Sequence, residues 1–359
     1  KGYDLVYVST QFRDAFDHEI DMRRIPKRKR IPIRTPEELQ ELLYDQYQDA
    51  EWVAIDTETD SLDWMHARCG CVTLSFERYK GYFVYWDALK PDKKAFSDFI
   101  RDKKQIYHNG RFDIKVLYKN GIDRDALHID YDTMDAGQVL NENRSNTLKT
   151  LAYLYTPFGG YDEPLEQHKK QFSKKSSITY LQLPPHLLEQ YATDDAIVTY
   201  LLFEKTLEEM RWFDAEYPMN GKGFKATNPP NTLEGYYFNH RIPASNAHID
   251  SEIHGVLINI DVLRRLEREF AYDLSVSRQK ARKAIGLPDS FRMTDSIVAD
   301  WLEDQLGLPC YGRTELGHYT IDDSAMKKWI RDGYTYLQDF VDYRKKFKIF
   351  STYIGHEFL

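Results

Sequence analysis

Residues 52–63, WVAIDTETDSLD, constrain this chain more than any other stretch. Trp52, Val53, Ala54 and Ile55 form a short apolar run of the kind that makes a buried strand, and Asp56 and Glu58 follow where that strand should end. Side chains in an extended chain repeat every two residues, so both carboxylates point the same way. Two anions that close repel each other, and burying either one unpaired is costly. A hard divalent cation such as Mg²⁺ or Mn²⁺ relieves both problems, and a pair of such ions about 3.5–4 Å apart is the usual means of cleaving a phosphodiester. An Asp-x-Glu after a strand is more often only a polar strand end, so the reading needs further acids elsewhere.

Two later segments supply them. A strand over 105–108 leads into His108-Asn109-Gly110-Arg111-Phe112-Asp113, and a helix with Ile114, Leu117 and Tyr118 on one face carries on from there. Asp113 therefore falls in the first turn of a helix, where the positive end of the dipole favours an anion. A long helix over 186–210 then places Tyr191 and Asp195 four residues apart, on one helical face. Asp194 points elsewhere and reads as a surface residue. Each of these signals is weak alone, because caps and chance spacings produce them too.

Between these segments the pattern is that of a mixed sheet covered on both faces. Strands over 71–76 and 81–86, joined by Arg78-Tyr79-Lys80, predict an antiparallel meander; a helix near 91–101 follows. A short strand over 129–132 precedes a helix from Thr133, and residues 146–155 read as another helix. Thr35-Pro36-Glu37-Glu38 carries a helix start with a capping box. Upstream, residues 3–8 alternate like an edge strand. Arg23, Arg24, Lys27, Arg28, Lys29 and Arg30 form a basic arm that either tracks phosphates or is simply solvated. Residues 156–180, with Lys169-Lys170 and Lys174-Lys175, read as a mobile surface segment within reach of substrate phosphates.

The net charge of −8 argues against a protein that coats nucleic acid non-specifically, while leaving room for a local basic track. Three cysteines, Cys69, Cys71 and Cys310, make neither a disulfide framework nor a zinc site, which points to a reducing compartment. The sequence has no apolar run long enough for a membrane span. It opens on Lys1, so a natural start further upstream is expected to be compatible with it.

Taken together, Asp56 and Glu58 on a strand, then Asp113, then Tyr191 and Asp195 resemble the DEDD family of 3′→5′ exonucleases in its tyrosine-bearing branch. That family works on an RNase H-like α/β sheet flanked by helices. The likeness runs over roughly residues 50–210, and DTETDSLD is very similar to the first exonuclease motif of bacterial DNA polymerase I; Asp132-Thr133-Met134 with Leu140-Asn141 resembles another segment of that domain. The resemblance implies two divalent ions, Mg²⁺ or Mn²⁺. Asp56 would bridge both, Glu58 and Asp195 would complete the shell of the first, and Asp113 would hold the second, partly through water. Tyr191 would orient the attacking water, Leu62 would wedge against the terminal base, and Thr59 and Asn109 would hold the 3′ end.

The last third extends the resemblance to family A DNA polymerases. Residues 1–50 read as an N-terminal extension, 51–210 as the exonuclease domain, 211–248 as a connector rich in breakers, and 249–359 as the start of the polymerase domain including a mainly helical thumb. The segments LGLPCYGRTELGHYTIDDSAMKKW and DYRKKFKIFSTYIGHEFL carry that likeness. In the second, Tyr343, Phe347 and Phe350 alternate with Arg344, Lys345, Lys346 and Lys348, as suits a helix beside duplex phosphates. The palm carboxylates and the fingers helix have no counterpart, so the chain alone is not expected to polymerise. It reads as a fragment of a longer enzyme, or as one whose palm and fingers are on a separate chain. The expected partners are DNA, as a single-stranded 3′ end and a primer-template duplex, in the cytoplasm of a bacterial or virus-infected cell or in an organelle. An RNA-trimming enzyme of the RNase D type and a silent DNA-binding clamp are the competing readings.

Overall fold

A computed structural model describes residues 26–171, 179–217 and 232–354 of the chain. The strand expected over 3–8, Arg23 and Arg24, the Lys174-Lys175 pair and the breakers Pro218, Gly221, Gly223, Pro229 and Pro230 lie outside the described residues. The chain divides into two compact units at Gly255 and Val256.

The first unit is built on a six-stranded mixed sheet with strand order β1-β4-β3-β2-β5-β6. These are β1 (Lys29–Ile33), β2 (Trp52–Thr59), β3 (Cys69–Glu77), β4 (Lys80–Tyr85), β5 (Lys104–Tyr107) and β6 (Tyr131–Asp132). β2, β3 and β4 form the expected antiparallel meander, whereas β1 on β4, β5 on β2 and β6 on β5 are parallel. Val53, Ala54 and Ile55 are wholly buried, which is why the strand that bears the acids starts as an unbroken apolar run. β1 corrects the reading of a free basic arm: Lys29 and Arg30 begin an edge strand, where Pro32 costs no ladder hydrogen bond to a further neighbour.

Helices α1 (Pro36–Gln40), α2 (Lys93–Arg101), α3 (Arg111–Lys119), α4 (Thr133–Leu140), α5 (Leu148–Tyr155), α6 (Glu163–Lys169) and α7 (Pro185–Glu216) surround this sheet. The capping box at α1 is formed: Glu38 N–H donates to Thr35 Oγ1 at 3.2 Å and Thr35 N–H donates to Glu38 Oε2 at 3.1 Å. α7 packs on β2, β3 and β4. It approaches β4 so closely that a Cβ added at Gly81 would lie 2.7 Å from Thr193 Cγ2, so a side chain there would push the helix off the sheet.

Two expectations about surface segments are overturned. Residues 156–171 are not loose: Phe158, Tyr161 and Leu165 are buried against α5 and α7. Asp194 is not a surface residue; it is fully buried. Arg30 holds it in a fork, Nε to Oδ1 at 2.7 Å and Nη2 to Oδ2 at 2.9 Å, and Arg28 Nη1 adds a bond to Oδ2 at 2.8 Å. Every residue of α7 from Thr193 to Thr199 is buried, so Asp194 meets Arg30 of β1 and the preceding Arg28 instead of water. Burial still pushes the Asp194 carboxyl up and the Arg28 guanidinium down, despite each other's charge.

The connector expected over 211–248 is also shorter than its composition implies. α7 runs to Glu216, and a short helix Leu233–Tyr236 leads on to α8 (Ile242–His254). Tyr237, Ile242 and Ile249 are buried in the core of the first unit. The Tyr237 hydroxyl accepts from Asp132 N–H at 2.7 Å and donates to Asp132 C=O at 2.9 Å, while Ser245 Oγ donates to Asp135 Oδ2 at 2.7 Å. The two units divide after Gly255, whose φ of +67° ends α8.

The second unit is mainly helical: α9 (Ile260–Ile285), α10 (Asp295–Asp304), α11 (Asp323–Arg331) and α12 (Leu337–Ile349). Ile285, Val298, Leu302, Trp329 and Phe340 form its core. Tyr343 of α12 is buried in that core, while Lys345, Lys346 and Lys348 remain exposed.

Asp194→Asn is expected to lower the unfolding free energy by about 2–3 kcal/mol, below the full cost of breaking a buried pair because Arg28 and Arg30 keep some contact with water. Urea denaturation measures this, and a loss below about 0.5 kcal/mol would contradict the buried clamp.

Candidate active site

Directly opposed residues of an antiparallel pair share a face of the sheet. Asp56 opposes Thr73 and Glu58 opposes Cys71, so both acids project to the face covered by α7. Asp195 meets them from that helix: one carboxylate oxygen from each of Asp56, Glu58 and Asp195 lies within 4.8 Å of the others. Glu58 and Asp195 are buried and Asp56 is half-buried.

The structure brings Asp113 to the other edge of the same strand. It accepts hydrogen bonds on Oδ1 from Thr57 N–H at 3.0 Å and from Thr57 Oγ1 at 2.6 Å, and it is outside the group of three mutually close oxygens. Asp113 remains near enough to raise the carboxyls of Asp56 and Glu58. Tyr191 lies one helical turn before Asp195, and its hydroxyl helps hold the Asp195 carboxyl down.

Burial dominates the electrostatics. It pushes Asp56 and Glu58 well up, with the neighbouring carboxylates adding to the rise, and it takes Asp113 and Asp195 up to about 7. Hydrogen bonds from Thr57 oppose the shift at Asp113, and those from Tyr161 and Tyr191 oppose it at Asp195. Burial and Asp195 also raise the Tyr191 phenol well above its ordinary value, so it stays protonated at neutral pH.

The residues expected at the 3′ end differ in how available they are. Leu62 is 89% exposed. Asn109 is exposed at φ +64°, a left-handed conformation that asparagine tolerates. Asp132 pins that turn by accepting from the N–H groups of Asn109 (3.1 Å), Gly110 (2.8 Å), Met134 (2.9 Å) and Asp135 (3.2 Å). Thr59 is buried and its hydroxyl donates to Ser61 C=O at 2.8 Å, so its side chain shapes the turn that carries Leu62.

Sequence reading missed Thr57 and Tyr161, and it placed Lys169 near substrate phosphates without its effect on Glu58. Thr57 holds Asp113, and only its place between Asp56 and Glu58 hinted at a role. Lys169, whose ammonium lies 3.9 Å from the Tyr180 ring centroid, is the cation that lowers the Glu58 carboxyl. Tyr161 donates its hydroxyl to Asp195 Oδ1. No periodicity marks either of the last two, because both come from the segment read as loose.

Three carboxylate oxygens this close, two of them on buried residues, are a donor set suited to a hard divalent cation, which would make their proximity tolerable. The Thr73 hydroxyl, buried and opposite Asp56, has no hydrogen-bond partner among the described residues, which leaves a polar position open on the same face.

A mixed sheet with such acids at the end of its central strand and on the covering helix defines a nuclease of the RNase H-like kind. Residues 31–211 match the 3′-5′ exonuclease family of DNA polymerase A, and the chain belongs to that family. It is 25% identical over 350 residues to the DNA polymerase of Escherichia phage T5, covering 90% of this chain and 38% of that protein. It is 22% identical over 332 residues to DNA polymerase I of Borreliella burgdorferi, covering 89% and 33% respectively. The chain thus spans little more than a third of either relative. Its fold is shared with the solved POL domain of Pol1 from M. smegmatis in complex with DNA primer-template and dNTP, at a TM-score of 0.59 and 17% identity, over 89% of this chain and 49% of that one.

Raised carboxyl pKa values give the metal-free protein a definite pH dependence. Between the ordinary carboxylate range and about 7, the folded chain binds more protons than the unfolded one, so stability from Asp113 and Asp195 is present at low pH and lost as pH rises. Thermal melts in EDTA should therefore give a lower Tm at pH 8 than at pH 5.5. Asp195→Asn should flatten this slope, and Mn²⁺ should raise Tm more at pH 8 than at pH 5.5. A Tm in EDTA that climbs over this range, with no change in slope in the variant, would contradict the assignment.

Proposed function

We propose that the chain is the proofreading 3′→5′ exonuclease portion of a family A DNA polymerase, hydrolysing the 3′-terminal phosphodiester of DNA and releasing nucleoside monophosphates. The observation that carries this reading is the convergence of Asp56, Glu58 and Asp195 within 4.8 Å in a chain of the 3′-5′ exonuclease family.

Asp56, Glu58 and Asp195 would hold one divalent ion, Mg²⁺ or Mn²⁺, and Asp113 is the acid available to a second. Such ions, when bound, activate water and take up charge on the leaving 3′ oxygen. The chain's own residues do the rest. Tyr191 keeps its phenolic proton and so acts by a hydrogen bond that orients the attacking water, without serving as a base. Leu62, exposed beyond the strand end, is suited to wedge against the terminal base; Asn109, on its pinned turn, and the Thr59 turn would hold the 3′ nucleotide. Frayed ends are favoured because a single strand must reach the acids, and a mispaired end unpairs at lower cost.

The second unit is proposed to grip primer-template duplex as a thumb, with Lys345, Lys346 and Lys348 exposed for phosphates. Polymerisation would draw on palm and fingers carried by a longer form of the protein or by a separate chain. The relatives are DNA polymerases of bacteria and phages, which favours DNA over RNA as substrate and a cytoplasmic setting. Among the described residues no helix is long and apolar enough to cross a membrane.

Degradation of matched 3′-labelled DNA and RNA oligonucleotides by the full chain in Mg²⁺ tests this reading. The expected outcome is loss of DNA from the 3′ end, abolished by EDTA and reduced to background by Asp56→Ala, with DNA binding in EDTA unchanged by the substitution. Preference for RNA would favour the RNase D type of activity, and DNA binding without Mg²⁺-dependent cleavage would favour a silent clamp.

A further inference from the structure

We propose that Tyr161 is a positioning residue for Asp195: its hydroxyl, by donating to Asp195 Oδ1, sets which carboxylate oxygen faces the divalent ion. This rests on the reading of Asp56, Glu58 and Asp195 as an ion-holding group.

The bond is built from both ends. Asp195 is fixed by α7, whose distance from the sheet is set by the close approach at Gly81. Tyr161 is fixed by a turn in which Gly160 takes φ +77° and Glu163 N–H donates to Gly160 C=O at 3.1 Å. Beside it, Lys149 Nζ ties Asp162 to α5 at 2.7 Å. The Tyr161 ring is buried among Leu151, Phe158, Val198 and Leu202, so its hydroxyl cannot turn to solvent. It also stacks on Tyr191, with centroids 6.2 Å apart and planes 13° apart, and Tyr191 stacks in turn on Tyr180 at 5.7 Å.

A phenol in this position does something that packing alone does not require. A carboxylate can bind a hard cation through one oxygen or both, and a free Asp195 would have that choice. With Oδ1 taken by a fixed O–H donor, the carboxylate plane is set and Oδ2 is the oxygen left clear of that bond. Partners of this kind, one step out from an ion, usually change metal affinity by 10–100-fold when removed. Tyr180 provides the contrast: it belongs to the same stack, and among the hydrogen bonds of the described residues none joins its side chain to Asp195.

Mn²⁺ binding to the full chain, followed by the electron paramagnetic resonance signal of free Mn²⁺, tests the assignment in wild type, Tyr161→Phe and Tyr180→Phe. Tyr161→Phe keeps the ring and deletes only the hydroxyl. Its apparent Kd for Mn²⁺ should rise about tenfold, with circular dichroism unchanged, while Tyr180→Phe stays within about twofold of wild type. Tyr161→Phe binding as tightly as wild type would overturn the proposal, and so would an equal loss in Tyr180→Phe, since the stack and not the hydrogen bond would then be responsible. A Tyr161→Phe chain that no longer folds would also overturn it, making the hydroxyl a folding requirement. Failure of the wild type itself to bind Mn²⁺ is a separate result that would remove the ion-holding reading first.

Discussion

Mutual repulsion among carboxyl groups buried at the end of β2 is the constraint that the first unit is arranged around. Burial raises all four acids, and the charges of Asp113 and Asp195 push Asp56 and Glu58 up further. The surrounding hydrogen bonds relieve this only in part: Thr57 donates twice to Asp113, two phenols act on Asp195, and Lys169 acts on Glu58 from a distance. No arginine is bonded to any of the four among the described residues.

The neighbouring pair Asp194 and Asp195 makes the point within one turn of helix. Asp194 receives a bidentate arginine and a second guanidinium, so it anchors α7 to β1 and is closed to any other partner. Asp195, one residue on, receives its hydrogen bonds from the neutral phenols of Tyr161 and Tyr191. Arginine counter-ions are thus placed on the acid that ties the helix to the sheet and are absent from its neighbour among the described residues. A second anchoring chain runs through Tyr237, which grips the backbone of Asp132. The Asp132 carboxylate in turn collects the N–H groups of the Asn109-Gly110 turn, just ahead of the helix that bears Asp113.

Much of this was legible because short-range periodicity carries it. A strand repeat of two puts Asp56 and Glu58 on one face, a helical spacing of four puts Tyr191 with Asp195, and Thr35 with Glu38 announces a helix start. What was illegible depends on partners distant in sequence. Arg28 and Arg30 lie 166 and 164 residues from Asp194, and Tyr161 lies 34 residues from Asp195. A run of basic residues reads as a solvated arm until an acid is found beneath it. A segment carrying lysine pairs reads as mobile until its aromatics are found in the core. Residues 232–248 read as part of a connector because the polar groups that dock them, such as Ser245 on Asp135, carry no local pattern.

By itself the amino-acid sequence determined the mixed sheet, the acids and phenol expected in the site and the family they resemble, since each follows from residue type at fixed spacing along one element. Only the tertiary structure decided which carboxylates meet, which acid is neutralised by arginine, that Asp113 is held by Thr57, and that Tyr161 reaches Asp195. Those outcomes depend on how closely α7 approaches the sheet and which loop covers it. Such distances between elements are set by packing, and no single element's residue pattern encodes them.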